Sequence, residues 1–314
     1  MSGPSNRLPA FRVAARLGTL TTLSMFGLIV VGSVVRTTGS GLACPDWPLC
    51  HGRWLPTESF NVFIEWSHRL LALVTSVCLF ATAGWTLLRS EVRARLGAVA
   101  GLAVALLFAQ VLLGALTVWK LLHPAVVSSH LAVALLLFAT LITYTVIAGF
   151  EAEPDSVAAA PRPAGLLPLF GLATAMVYVQ AVLGGIVSTS GASLACPDWP
   201  TCNGAWFPPL DGLVGLQALH RYGAYAVLAA MLAVALRSRT VPDPAMRAAA
   251  PMAFGLTLTQ AVFGVTNVLL GVTVWLSALH LATAAAILAL LVTLTIRAAM
   301  LPAGERAPAL AAAR

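Results

Sequence analysis

The chain has 314 residues, 59% of them hydrophobic and 9% charged, with a mean hydropathy of +0.90. A soluble domain carries about 25% charged residues, so that class is excluded. The net charge of +7 would suit a nucleic acid or an acidic lipid surface, and its placement along the chain decides what it means.

Crossing a bilayer takes about 20 mostly apolar residues. Eight such stretches are read, near 17–35, 63–88, 96–118, 126–149, 166–187, 214–236, 250–270 and 274–296. No short apolar region with a small-residue cleavage site precedes the first, so no removable signal peptide is expected. Arg7, Arg12 and Arg16 precede span 1, and Arg89, Arg93 and Arg95 follow span 2. Arg162 follows span 4; Arg237, Arg239 and Arg247 follow span 6; Arg297, Arg306 and Arg314 follow span 8. That puts 13 of the 18 basic residues on one side. The positive-inside rule makes this side cytoplasmic and places both termini there. The basic balance is therefore a topology signal. Membrane lipid is an expected partner, nucleic acid is not, and the expected location is the cell (plasma) membrane.

The loop after span 1 reads GLACPDWPLCHGRWLP (41–56), and the loop after span 5 reads SLACPDWPTCNGAWFP (193–208). Cys44, Cys50, Cys196 and Cys202 all lie in these outer loops, where disulfides persist. Cysteines six apart around two prolines can close a disulfide, either as a loop staple or as a redox-active pair. A soft-metal site would be better signalled by CxxC. Cys78 lies inside span 2 and reads as a packing residue. Trp47 and Trp199 suit the membrane interface.

The repetition continues beyond the loops. Ser67-His68-Arg69 recurs as Leu219-His220-Arg221, and Gln110 stands 20 residues before His130 as Gln260 does before His280. The second half thus repeats the first at an offset of 150–152 residues. Four spans per half make the repeats parallel, related by a pseudo-twofold axis along the membrane normal. The expected fold is an all-α membrane protein of eight transmembrane helices, arranged as two tandem four-helix bundles. A cytoplasmic N-terminal tail (1–16) leads to the N-terminal half (17–149), then a linker (150–165), the C-terminal half (166–297) and a C-terminal tail (298–314). The linker, with Glu151, Glu153, Asp155, Pro161 and Pro163, reads as a polar cytoplasmic connector.

His68, His130, His220 and His280 lie just inside the outer ends of spans 2, 4, 6 and 8. His68 to His220 is 152 residues, and His130 to His280 is 150. Each histidine is about four to eight residues inside its span, roughly 6–12 Å at 1.5 Å per residue. An ionisable group inside hydrocarbon is a functional candidate by default. A single one would read as a helix–helix hydrogen bond; two pairs at matched depth read as two bis-histidine haem sites. Zinc would need third and fourth ligands that the spans do not supply. His51 and His123, opposite Asn203 and Thr273, are not read as ligands.

Glu65 shares a helical face with His68 three residues on. It reads either as the partner of Arg69 or as a carboxylate facing a reacting substrate. Arg221 keeps its place with Gln217 where the acid would be, so the arginine does not require an acid. Arg69 and Arg221 could meet haem propionates or reach the outer interface. Arg36, His51, Arg53, Glu65, Lys120 and His123 correspond to Ser188, Asn203, Ala205, Gln217, Leu270 and Thr273. This suggests chemistry in the N-terminal half and a permanent redox cofactor in the C-terminal half. Unselected drift in the loops would be the bland account. On the residues alone, a di-haem b-type cytochrome linked to quinone, or a haem transporter, would be alternatives.

Over about residues 14–297 the chain resembles the haem A synthase (CtaA) family. The resemblance rests on eight spans in two halves, one histidine in each even-numbered span, the Glu65-Trp66-Ser67-His68-Arg69 run and the two-cysteine outer loop. It implies oxidation of the C-8 methyl of haem O to a formyl group. Two hydroxylations with water-derived oxygen would be followed by dehydration, giving haem A. It implies that His68 and His130 serve the substrate haem, that His220 and His280 bind the iron of a haem b, and that Glu65 is catalytic. It also implies a Cys44–Cys50 disulfide near the substrate; the second pair, Cys196 and Cys202, departs from the simplest family pattern. Implied partners are a haem O synthase upstream, an unidentified electron acceptor and cytochrome oxidase assembly factors.

Overall fold

The computed structural model describes residues 4–56, 59–154 and 161–302. Asp155, Arg306 and Arg314, on which part of the linker and tail readings rests, lie outside the described residues. The eight helices are α1 (Pro4–Thr37), α2 (Phe60–Leu88), α3 (Ser90–Trp119), α4 (Pro124–Ala152), α5 (Leu166–Thr189), α6 (Gly212–Ser238), α7 (Pro244–Leu269) and α8 (Val274–Met300). All eight are long and apolar enough to cross a membrane. Among the described residues there is no β-strand.

Local chemistry sets the helix ends. The Ser59 side chain accepts from the Val62 amide, capping α2. Asp243 caps α7 through the amides of Ala245 and Met246, and its other oxygen pairs with Arg297 of α8 at 2.7 Å. Pro124 and Pro244 open α4 and α7, where a missing N–H costs nothing. The turns that close α3 and α7 pass through left-handed backbone at Leu122 (φ 58°) and Val272 (φ 63°), residues 150 apart in the repeat.

The expected spans prove longer at several ends. α1 begins at Pro4 rather than near 17, and Ala10, Phe11 and Ala14 pack with Val92, Leu96 and Tyr144. Residues 8–16 therefore extend the first helix. The chain after α4 is tied to the end of α8, where Arg162 donates from its amide to Pro302 O (2.8 Å) and from its side chain to Ala298 O (3.1 Å).

Within the first half α1 packs on α2 and α4, and α3 on α2 and α4; α5 to α8 repeat these pairings. The halves meet through α1, α4, α5 and α8. Lipid is as apolar as a leucine side chain, so small polar groups help hold such helices together. Thr21 bonds Thr82 (3.0 Å), Ser24 bonds Thr75 (2.7 Å) and Thr86 bonds Tyr144 (2.7 Å) within the first half. Ser128 to Thr189 (2.8 Å) joins α4 to α5 across the halves.

Candidate functional site

Each of the four span histidines faces a glycine on the odd-numbered helix before it. A Cβ built on Gly32 of α1 would stand 3.2 Å from His68 Nε2, and one on Gly114 of α3 would stand 3.3 Å from His130 Cε1. On Gly184 of α5 and Gly264 of α7 it would stand 2.9 Å from Cε1 of His220 and of His280. Glycine inside a helix costs about 1 kcal/mol relative to alanine, so four such glycines need a reason. The reason is room: the imidazoles press on the neighbouring helix backbone. The glycines obey the repeat, with Gly32 to Gly184 spanning 152 residues and Gly114 to Gly264 spanning 150.

The imidazoles form two pairs. His68 and His130 lie within electrostatic reach of each other, as do His220 and His280. The second pair lines one mostly apolar cavity of about 250 Å³. Among the described residues no three His, Cys, Asp or Glu side chains converge on a point, so the donor sets are pairs rather than a zinc cluster.

Side-chain amides attend the rings. Gln110 Nε2 lies 3.2 Å from His130 Nε2. Gln180 Nε2 lies 2.9 Å from His220 Nδ1 and donates to the His220 carbonyl at 2.7 Å. Gly223 leaves the room for it, since a Cβ there would meet Gln180 Oε1 at 2.2 Å. The first half has Leu28 and Leu71 at these two places, so His68 receives no such amide. Buried atoms without a partner recur at matching positions: His130 Nδ1 and His280 Nδ1, and Gln110 Oε1 and Gln260 Oε1. An unpaired buried polar atom costs about 1–3 kcal/mol. Paired imidazoles seated on glycine, with polar atoms left open beside them, are residues that would suit holding an iron porphyrin.

The loops after α1 and α5 pack on these helices, and one arginine per half fixes each loop. Arg69 reaches the carbonyls of Asp46 (2.6 Å), Leu49 and Cys44 (3.0 Å), and its Nε and Nη2 both meet Glu65 Oε1 at 3.0–3.1 Å. These contacts use all five guanidinium donors. Arg221 holds the equivalent carbonyls of Thr201 (2.7 Å) and Cys196 (2.6 Å) with no acid beside it. Gln217, in the glutamate's place, donates only to Ser193 O at 3.3 Å and leaves its Oε1 buried and unpaired.

Both loops carry a disulfide, Cys44–Cys50 and Cys196–Cys202, with all four cysteines buried. Asp46 accepts from the amides of His51 (2.6 Å) and Gly52 (2.8 Å); Asp198 accepts from those of Asn203 (2.6 Å) and Gly204 (3.0 Å). The Gly52 amide, helped by that of His51 and by the charge of Arg69, holds the Asp46 carboxyl below the usual range. Asp198 is held further down, first by the Thr201 hydroxyl and then by the Gly204 amide.

A family of cytochrome oxidase assembly proteins matches residues 15–292. The haem A synthase of Halalkalibacterium halodurans is 32% identical over 224 residues, covering 70% of this chain and 74% of its own. That of Methylobacterium sp. (strain 4-46) is 30% identical over 317 residues, covering 84% and 86%. The chain belongs to the haem A synthase family. It is accordingly a multi-pass membrane protein.

Within this haem A synthase scaffold the structure alters two parts of the expected charge asymmetry. Arg36 lies on α1, yet it lines the cavity of the C-terminal half beside His220 and His280. Its repeat counterpart Ser188 lines the same cavity, and α1 packs against α8 across the interface. His51 and Asn203 do the same work: both are left-handed (φ 53° and 52°), and each reaches the carbonyl eight residues back, Ala43 at 2.9 Å and Ala195 at 3.0 Å. The exchange of one for the other is structural. The exchanges at Arg53, Glu65, Lys120 and His123 remain, and of these Glu65 is the one that is buried beside its arginine.

Seven residues of the site escape a reading by motif alone. The four glycines were visible in the repeat offset but look like ordinary transmembrane glycines. Gln180 and Gly223 have leucines opposite them, so the repeat hides them. Trp199 lines the second cavity, a contact that its loop position does not reveal.

Proposed function

We propose that the chain is a haem A synthase, oxidising the C-8 methyl of haem O to a formyl group. Each of two hydroxylations takes its oxygen from water and releases two electrons and two protons; loss of water from the doubly hydroxylated carbon leaves the aldehyde. His68 and His130 hold the substrate haem, and His220 and His280 hold a haem b. When bound, that haem b supplies a one-electron path away from the first half. The two halves are related by a pseudo-twofold axis along the membrane normal, with the termini cytoplasmic and the loops outside the plasma membrane.

The single observation that carries this reading is the contrast of Glu65 with Gln217 beside arginines that grip equivalent loop carbonyls. Glu65 is buried and fixed through one oxygen by Arg69. A carboxylate held in a low-dielectric site stabilises positive charge developing on the oxidised methyl and can orient or deprotonate the attacking water. Arg69 contributes by position, tying that carboxylate to the carbonyls of the disulfide loop. With every donor committed, it has none to spare for a propionate. Arg221 keeps donors free and lines the second cavity, so the propionate role falls to Arg221. The disulfides staple loops that the arginines grip. A haem O synthase supplies the substrate, a membrane electron acceptor removes the electrons, and oxidase assembly factors receive the product.

Co-expression with a haem O synthase in a host lacking haem A, followed by chromatography of extracted haems, tests the reading. Haem A is the expected product. Recovery of haem b and unchanged haem O alone would make the chain a di-haem electron carrier instead.

A further inference from the structure

Arg36 stands in the last turn of α1. Its guanidinium has no hydrogen bond or ion pair among the described residues. A cation at a helix C-terminus gains from the helix dipole. That accounts for a charge at this position, but not for its place in the wall of an apolar cavity in the other half. Ser33, one turn earlier, and Leu131 of α4 join it there; the rest of the wall comes from the second half. The cavity of the C-terminal half is therefore completed by the N-terminal half.

The polar end of this cavity has one sign. Arg36 and Arg221 both line it, and no aspartate or glutamate does. Arg221 has committed two donors to loop carbonyls, whereas Arg36 has committed none. A half-buried arginine facing an apolar cavity without a partner is unfavourable unless an anion meets it. Two imidazoles for iron, apolar walls and an open guanidinium together describe a metallated macrocycle bearing a carboxylate. The repeat counterpart of Arg36 is Ser188, so α5 supplies no equivalent cation.

We infer that Arg36 anchors, from the opposite half, a carboxylate of the haem held by His220 and His280. The inference rests on the bis-histidine reading above. It adds a reason why one haem stays while the other passes through: the retained haem has a cation donated across the interface between the halves.

The test uses full-length protein in detergent, freed of haem and reconstituted with iron protoporphyrin IX or with its dimethyl ester. Release to excess apomyoglobin is then timed for the wild type, Arg36→Gln and Arg36→Lys. A charge-assisted hydrogen bond contributes about 1.5–3 kcal/mol, so Arg36→Gln should release the diacid at least about tenfold faster. Arg36→Lys should fall between it and the wild type. All three should release the ester at one common rate, because esterification removes the charge that Arg36 would meet. Equal acceleration of acid and ester by Arg36→Gln would show a packing role and overturn the inference, as would a wild-type rate for the acid. Helix content by circular dichroism and an intact Cys196–Cys202 bond separate either result from misfolding. If the wild-type protein gives no bis-histidine spectrum with either porphyrin, the haem reading itself has failed, and this inference with it.

Discussion

Gly184 and His220 approach so closely that residue 184 has no room for a side chain, a Cβ there falling 2.9 Å from the ring. Gly264 and His280 stand at the same separation, while the first-half pairs are looser at 3.2 and 3.3 Å. Overpacking a tight site costs about 1–3 kcal/mol. Gly184→Ala and Gly264→Ala should therefore displace the imidazoles and weaken haem b retention about 10- to 100-fold. Gly32→Ala should leave haem b in place. Haem content per polypeptide after purification measures this, and full occupancy in both second-half variants would remove the glycines from the site.

Glu65→Gln installs in the first half the residue that Gln217 already provides in the second. Arg69 would keep its carbonyls at Asp46, Leu49 and Cys44, so the loop should stay closed and haem b should remain. Haem A formation should fall about 10²–10³-fold, the usual loss when one preorganised electrostatic group is removed. Gln217→Glu should not create a second active half. Near-normal haem A output from Glu65→Gln would reduce the carboxylate to a partner of Arg69.

The loop clasps should respond to acid with a definite sign. Asp46 and Asp198 are both depressed by hydrogen bonds they accept when folded. Such a carboxylate adds stability that is complete above the unfolded aspartate value of about 3.9 and is lost as pH falls through the lower folded value. The amides of His51, Gly52, Asn203 and Gly204 should stay protected from hydrogen exchange at pH 5 and above. They should lose protection only below about pH 4, the first loop before the second. Asp46→Asn should expose the first pair of amides at neutral pH. Protection that fades between pH 7 and 5 would contradict the assignment.

Thiol labelling tests the sidedness. After reduction of the two disulfides, Cys44, Cys50, Cys196 and Cys202 should react with a membrane-impermeant maleimide from outside the cell. Because all four are buried in the closed loops, labelling should be slow until each loop opens. Cys78, within α2, should stay unlabelled. Reaction of the loop cysteines only in inside-out vesicles would invert the topology.

Much of the site is legible along the chain because duplication writes it twice. His68 and His220, His130 and His280, and the two CPDWPxC loops declare themselves by spacing, since a repeat preserves register wherever the chemistry is shared. What the repeat cannot report is the purpose of a residue present in only one copy. Gln180 looks like an isolated polar residue in an apolar span until its amide is found against His220. Arg36 looks like part of the first half's charge until the packing of α1 on α8 carries it into the second.

Composition and charge by themselves determined eight spans and an even split between halves, because hydropathy and arginine placement act locally along the chain. Spacing alone singled out the four histidines and Glu65. Only the tertiary structure decided which backbone each imidazole presses against, that Arg69 spends every donor on its loop and on Glu65, and that Arg36 lines the cavity of the other half. The reason is physical: a span's partners are chosen by helix packing between segments far apart in sequence, and that choice leaves no periodic trace in either segment.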